Sequence, residues 1–338
     1  MLSLNRFCRT SATVALTFSL AALSLAALGA CGSSGGSPTG AGGSTSSTSA
    51  SASSSAGTGG GKTTSSSAGT GGSAPVCPGI GFGGGEKSKP GGSVTATIVD
   101  QSGAAVPNQP VFICGIDICS PPGKTDANGK VQISTAIMMK KPAFKFGDAV
   151  TYAELAIPVS MATTDFMTVG TGKLPATGPA LTAGADATSG GITVSIANGG
   201  AVGINTLIYD TPEKQQLRAV NIPLTHVAAV LAPITFADGG AGFSLLYGVS
   251  PAETTLCPAA KVKVALPSDK MMPNNLGWAP KAKVEFWIMT IDAGQVYAPY
   301  GGWAKASDGA VSDDGASVVT ADGAGFTYLQ TFGVRLKP

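Results

Sequence analysis

The chain of 338 residues holds a single histidine, His226, and only 12% charged residues, 21 basic against 19 acidic. A histidine-based Ser or Cys triad would have to be built on that one imidazole, and no H-E-x-x-H zinc-peptidase motif is present. His226 lies in Ile222-Pro-Leu-Thr-His-Val-Ala-Ala-Val-Leu231, an apolar run that suits a packed structural histidine better than a catalytic base. Sparse and balanced charge leaves no electrostatic footprint for nucleic acid, so no nucleic-acid partner is expected. Long amphipathic stretches are also missing. No window of twelve or more residues carries a capped 3.6 period, which excludes an all-α body; Thr211–Arg218 is suited to one or two helical turns.

What is present begins with an uncharged apolar stretch, Ser11–Ala30, after Arg6 and Arg9, closing on Leu28-Gly29-Ala30-Cys31. A basic start, an apolar core and small residues at the cut are the marks of a signal peptide. The tetrapeptide resembles the lipobox of bacterial lipoproteins. That resemblance implies residues 1–30 as signal, a covalent diacylglycerol and further acyl chains on Cys31, and no other cofactor. Two or three chains anchor stably where one would not, so the expected partner of the anchor is a membrane. Gly32 carries no acidic inner-membrane retention signal, which by the same resemblance favours the outer membrane, facing the periplasm or the cell surface. A plain secretory signal and a retained transmembrane helix are the alternatives. Removal of Arg6 and Arg9 would leave 19 basic against 19 acidic residues, a neutral body.

Residues 31–75 follow as the lipidated cysteine and a spacer made almost entirely of Gly, Ser, Thr and Ala, with Lys62 its one charge. Such a composition buries too little apolar area to offset ordering entropy and reads as a disordered linker. Its root-mean-square span would be roughly 35–40 Å. Beyond it, four cysteines remain: Cys77, Cys114, Cys119 and Cys257. An even count in an oxidising compartment suggests two disulfides in any of three pairings. Cys114 and Cys119 could close locally, leaving Cys77 to Cys257, a long bridge with an ideal loop-entropy gain of about 5 kcal/mol. The spacing lacks the paired C-x-x-C of zinc ribbons, so no metal is expected there.

From about residue 76 the texture is all-β. Short alternating or apolar runs recur between Gly, Pro, Asn and Asp clusters, among them Val94–Val99, Val111–Cys114, Val131–Ser134, Thr151–Val159, Ile192–Ala197, Thr206–Tyr209, Val262–Leu266, Val284–Thr290, Ser317–Thr320 and Phe326–Leu336. That spacing predicts two consecutive antiparallel β-sandwich domains of Ig-like or transthyretin-like type after the Gly/Ser linker, at 76–188 and 189–338. The Gly/Thr/Ala/Pro-rich stretch Gly170–Gly191 supplies the boundary.

In the first half, Gly92-Ser-Val-Thr-Ala-Thr-Ile-Val-Asp-Gln-Ser-Gly103, Val106-Pro-Asn-Gln-Pro-Val111 and Thr125-Asp-Ala-Asn-Gly-Lys-Val131 occur in order. Together they resemble the carboxypeptidase regulatory-like, or transthyretin-like, module over about residues 90–160. The residues agree: Val94, Ala96 and Ile98 share one strand face, and Asn128-Gly129 offers the positive φ angles of a tight hairpin. Transthyretin-like enzymes that need several histidines are excluded by the histidine count. In the second half, Lys281-Ala-Lys-Val-Glu-Phe-Trp-Ile288 and Gly309-Ala-Val-Ser-Asp-Asp-Gly315 resemble a β-rich module of large bacterial surface proteins.

Two ligand readings arise from this second half. Asp308, Asp313 and Asp314 offer hard oxygens for calcium, although Asp-Gly pairs more often form hairpin tips and no twelve-residue calcium loop is present. Tyr297, Tyr300 and Trp303 lie in a loop-like context, Tyr297-Ala-Pro-Tyr-Gly-Gly-Trp303, and are the candidates for stacking on a sugar, with core packing as the alternative. The expectation is therefore a non-enzymatic, membrane-anchored lipoprotein with a structural or protein-interaction role, or alternatively a glycan-binding one using residues 297–303.

Overall fold

The computed structural model describes residues 87–159, 163–232, 234, 236, 238, 242–270, 278–291, 295 and 297–337. Leu28–Cys31, expected to be a lipobox, residues 32–75, expected to be a spacer, and Cys77 lie outside the described residues. The body is all-β, built of antiparallel sheets packed around apolar cores with a single parallel strand pair.

Seven strands come first: β1 (Lys89–Val99), β2 (Pro110–Cys114), β3 (Gly123–Lys124), β4 (Lys130–Met139), β5 (Ala143–Phe146), β6 (Leu155–Pro158) and β7 (Thr163–Gly170). They make a three-stranded sheet, β4-β1-β7, and a four-stranded sheet, β3-β2-β5-β6. Val94, Ala96 and Ile98 all point into the core, as the alternation requires, opposite Val111, Ile113, Phe144 and Phe146. Local turn chemistry fixes the register. Asp100 Oδ1 accepts from the backbone N–H groups of Ser102 and Ala104, with Gly103 at φ 82°. At the β3–β4 connection only Gly129 has positive φ (73°); Asn128 does not share it, because Asp126 Oδ1 accepts from Asn128 N and Lys130 N and holds the turn instead.

Eleven further strands form the second sheet system: β8 (Asp186–Ser189), β9 (Ile192–Ser195), β10 (Ala201–Gly203), β11 (Arg218–Asn221), β12 (Leu245–Ser250), β13 (Thr254–Ala265), β14 (Lys283–Met289), β15 (Trp303–Val311), β16 (Ser317–Thr320), β17 (Phe326–Leu329) and β18 (Phe332–Leu336). Their order is β11-β12-β18-β14-β15-β16-β13-β9-β8, with β10 and β17 paired to the other half of the long strand β13. The sheet curls until its ends approach: Ala219 N on β11 donates to Ser189 Oγ on β8 at 3.2 Å. Phe286, Phe326 and Phe332 fill the enclosed core.

β12 is where the two systems meet. All six of its residues are buried, because Leu245, Tyr247 and Val249 face the second core while Leu246 packs into the first. Burial on both faces accounts for its unbroken apolar run. Gly248 is required at the contact: a Cβ there would lie 2.1 Å from Ala153 Cβ.

Some sequence expectations change in the structure. Thr206–Tyr209 is a turn and not a strand, since Asn205 captures the chain: its carbonyl accepts from Ile208 N and Tyr209 N, and its side chain accepts from Leu207 N. Phe326–Leu336 is two strands, broken at Gln330-Thr331. Thr211–Arg218 makes a turn, with Gln215 N donating to Thr211 O, but no assigned helix. Cys114 and Cys119 form a disulfide across an antiparallel bridge. Cys257 is also disulfide-bonded.

Candidate functional site

The aromatic loop turns inward. Tyr300 is 3% exposed and Trp303 9%. Trp303 Nε1 donates to Val230 O at 3.1 Å, and its ring meets Phe243 edge-on at 4.9 Å. Tyr297 is half-buried, its hydroxyl donating to Met289 O and its ring 5.4 Å from Tyr328. Gly301, at φ 71°, lets the loop press on β6, where a Cβ would come within 2.9 Å of Pro158. The glycines that made this segment look like an open loop are what allow it to pack. Its rings are used for packing and leave no broad stacking face to solvent.

His226 lies half-buried in a short 3₁₀ turn, Leu224–His226, its Cβ packed against the backbone at Gly170. Among the described residues no side chain of Ser, Cys, Asp or Glu hydrogen-bonds its ring. The three aspartates are separated by the fold. Asp308 sits within β15 opposite Glu285 and pairs with Lys305 and Lys337. It is not a hairpin tip: Gly309 is needed inside the strand because a Cβ would lie 2.6 Å from the Phe286 ring. Asp313 pairs with Lys281, while Asp314 accepts from Ser312 Oγ and Ala316 N in a turn completed by Gly315 at φ 67°. Among the described residues no group of three or more His, Cys, Asp or Glu is placed to hold a metal.

Asp308 and Asp313 do share one feature, an open trough of about 910 Å³ on the outer face of β13, β15 and β16. Lys261, Lys283 and Lys337 line it with Asp308, Asp313 and Asp322, over a floor that includes Ala310, Val319 and Ala321. Lys261 pairs with Asp322 at 2.8 Å. A second depression of about 420 Å³ shares Lys261, Ala321 and Asp322 and extends the trough toward Ser195 and Pro258. Lys261 on β13 and Lys283 on β14 are exposed, and the fold brings Asp308, Asp313 and Asp322 beside them, a grouping the sequence alone did not single out.

Sequence reasoning also missed Arg335. On β18 it is 2% exposed, its Nε donating to Glu285 Oε2 at 2.8 Å and its two terminal nitrogens gripping Asp238 at 3.1 and 2.6 Å. The guanidinium lies 3.9 Å from the Phe236 ring centre, and Trp287 packs edge-on to the same ring. Burial pushes the Glu285 carboxyl up, but hydrogen bonds from Arg335, Trp287 and Lys305 outweigh it and hold the group below its ordinary value.

A second ionic cluster is internal. Lys145 on β5 lies 2.8 Å from Glu154 and 3.7 Å from Glu253, with side-chain exposures of 14%, 8% and 6%. Its Nζ also donates to Ile291 O at 3.3 Å. The cluster joins the sandwich to the β12–β13 turn; Arg218 ties the same two regions separately, donating to Val150 O and to Ser250 Oγ.

No family model matches the chain, and no curated protein matches it. Among solved structures it is similar to a protein from Bacteroides uniformis described as carbohydrate-binding, at 7% identity and a TM-score of 0.19, over 52% of this chain and 90% of that one. It is also similar to the major pilin subunit of Bacillus cereus, at 11% identity and a TM-score of 0.20, over 73% of this chain and 88% of that one. At these scores neither likeness bears on fold or activity.

Proposed function

We propose that the chain is a non-enzymatic lipoprotein, anchored to the outer membrane through acylated Cys31, whose β body is carried on the Gly/Ser spacer and presents the β13–β15–β16 trough to a protein partner. In this reading the first seven strands are a carboxypeptidase regulatory-like module that serves as scaffold. The trough carries the proposal. Its lining combines three lysines with three aspartates and contains no aromatic ring. A uniformly anionic polymer would meet as much repulsion as attraction there, and a neutral sugar would find no ring to stack on. A polypeptide can offer both signs at matching spacing, and complementary charge of this kind selects the partner more than it strengthens binding.

Two measurements test the reading. A photo-crosslinking residue replacing Ala310 on the trough floor, in whole cells, is expected to give a discrete protein adduct that disappears when Lys283→Glu and Lys337→Glu are added. No protein adduct, with retention on a glycan array or on isolated cell-wall sacculi, would move the assignment to a glycan. For the anchor, labelled palmitate is expected in the wild-type chain and not in Cys31→Ala; equal labelling would remove the lipoprotein half.

A further inference from the structure

The Lys145 cluster has an unusual stoichiometry. Two carboxylates, Glu154 and Glu253, face one ammonium at 2.8 and 3.7 Å in a site where all three side chains are nearly buried. Glu253 is held from its other side, Asn205 Nδ2 donating to Oε2 at 3.3 Å. Two carboxylates gathered on one ammonium in a buried place are costly to keep ionised together, and a proton shared between them relieves it. An amine, a carboxyl group in contact with it and a second carboxyl group able to carry a proton are also the parts that amide formation needs, held together where little water enters.

We propose that Lys145 and Glu154 condense into an intramolecular amide, with Glu253 as the proton carrier. Glu253 takes a proton from the ammonium, and the freed lone pair of Nζ attacks Cδ of Glu154. The Nζ–Cδ bond forms and the Cδ–Oε bond breaks. The departing oxygen leaves as water, with the two protons that the nitrogen gives up in all. Ammonium plus carboxylate becomes amide plus water, and no oxidant, reductant or other reactant is consumed. Burial works against the Lys145 charge, but Glu154, Tyr300 and Glu253 outweigh it and favour the ammonium, so the first proton transfer is uphill and the bond forms slowly, once per molecule. The product replaces two buried ions with a neutral amide. It also closes the loop 146–153, which docks on β12 through the Ser250 Oγ bond to Ala149 O and the contact of Ala153 with Gly248.

The test is peptide mass mapping of the full chain after folding, denaturation and trypsin digestion. The expected result is no cut after Lys145, and a peptide containing both Lys145 and Glu154 that is lighter than its sequence mass by one water. Glu253→Gln, checked for native circular dichroism, is expected to be cut after Lys145 and to carry the full mass. Wild-type protein that is cut after Lys145 at full mass overturns the proposal. A cross-linked pair joining Lys145 to the Glu253 peptide overturns the choice of Glu154 as acceptor.

Discussion

The two cores of the body are built on unequal terms. The core enclosed by the curled sheet draws its buried residues, Ala187 to Val334, entirely from the later strands and the segments between them. The sandwich core does not close on its own strands. It takes in Ile222, Val227, Val230, Phe243, Leu246, Ala252, Met289, Ile291, Tyr300 and Trp303 from the later half of the chain. Seven short strands in two small sheets cover only part of their own apolar faces, and the larger system supplies the remainder. The sandwich is therefore a dependent of the curled sheet, and the direction of dependence can be tested.

The largest expected effect comes from separating them. A fragment of residues 176–338 should keep a cooperative thermal transition, whereas residues 87–175 alone should show none. A cooperative transition for the shorter fragment would break the comparison. Point changes should follow the same asymmetry. Phe332→Ala, in the enclosed core, should cost about 3–5 kcal/mol and lower the melting of the whole body. Trp303→Ala should cost a similar amount in the sandwich core and leave the tryptophan fluorescence of the enclosed Trp278 in its native state while the sandwich unfolds. Loss of both signals together at the same denaturant concentration would show a single cooperative unit.

Arg335 gives the next effect. Arg335→Leu removes the main partner of buried Glu285 and should cost about 3 kcal/mol, at the low end for a broken buried pair because Lys305 still reaches Glu285. The sign of the pH dependence follows from the lowered carboxyl. Its contribution is present above the ordinary glutamate value of 4.5 and is lost as pH falls through the lower folded value. Denaturation midpoints should therefore fall on acidification below about pH 4.5, and less steeply in Glu285→Gln; equal slopes would remove the linkage. Gly248→Ala tests the seam itself. Overpacking against Ala153 should cost about 1–3 kcal/mol and widen the gap between the two unfolding signals.

Much of this arrangement was written locally and little of it globally. Period-two patterns placed Val94, Ala96 and Ile98 on one face, because a strand's side-chain alternation needs no knowledge of its neighbours. Cys114 and Cys119 were close enough in sequence to be suspected. Arg335 and Tyr300 show where that logic ends. An arginine near the end of a chain reads as a surface charge until Glu285 and Asp238, 50 and 97 residues away, are known to meet it. A tyrosine beside two glycines reads as a loop until β6 lies beneath it. The trough was not legible, for the same reason: Asp308 and Asp313 stood out only as calcium candidates, and their lysine neighbours depend on which strands became adjacent.

The smallest stability effect belongs to the trough, and there a null on stability is the informative result. Lys261 and Asp322 are 49% and 95% exposed, so their 2.8 Å pair is screened by water and should add little to stability. Lys261→Ala and Lys283→Glu should accordingly leave both unfolding signals within about 0.5 kcal/mol of wild type. If the trough is a docking surface, the same two changes should sharply reduce the adduct formed from position 310, since a partner that matches both signs loses attraction and gains repulsion at once. A drop in stability without a drop in adduct would mark these lysines as part of the scaffold. The opposite pattern, binding lost and folding kept, would separate the face that recognises from the cores that hold it.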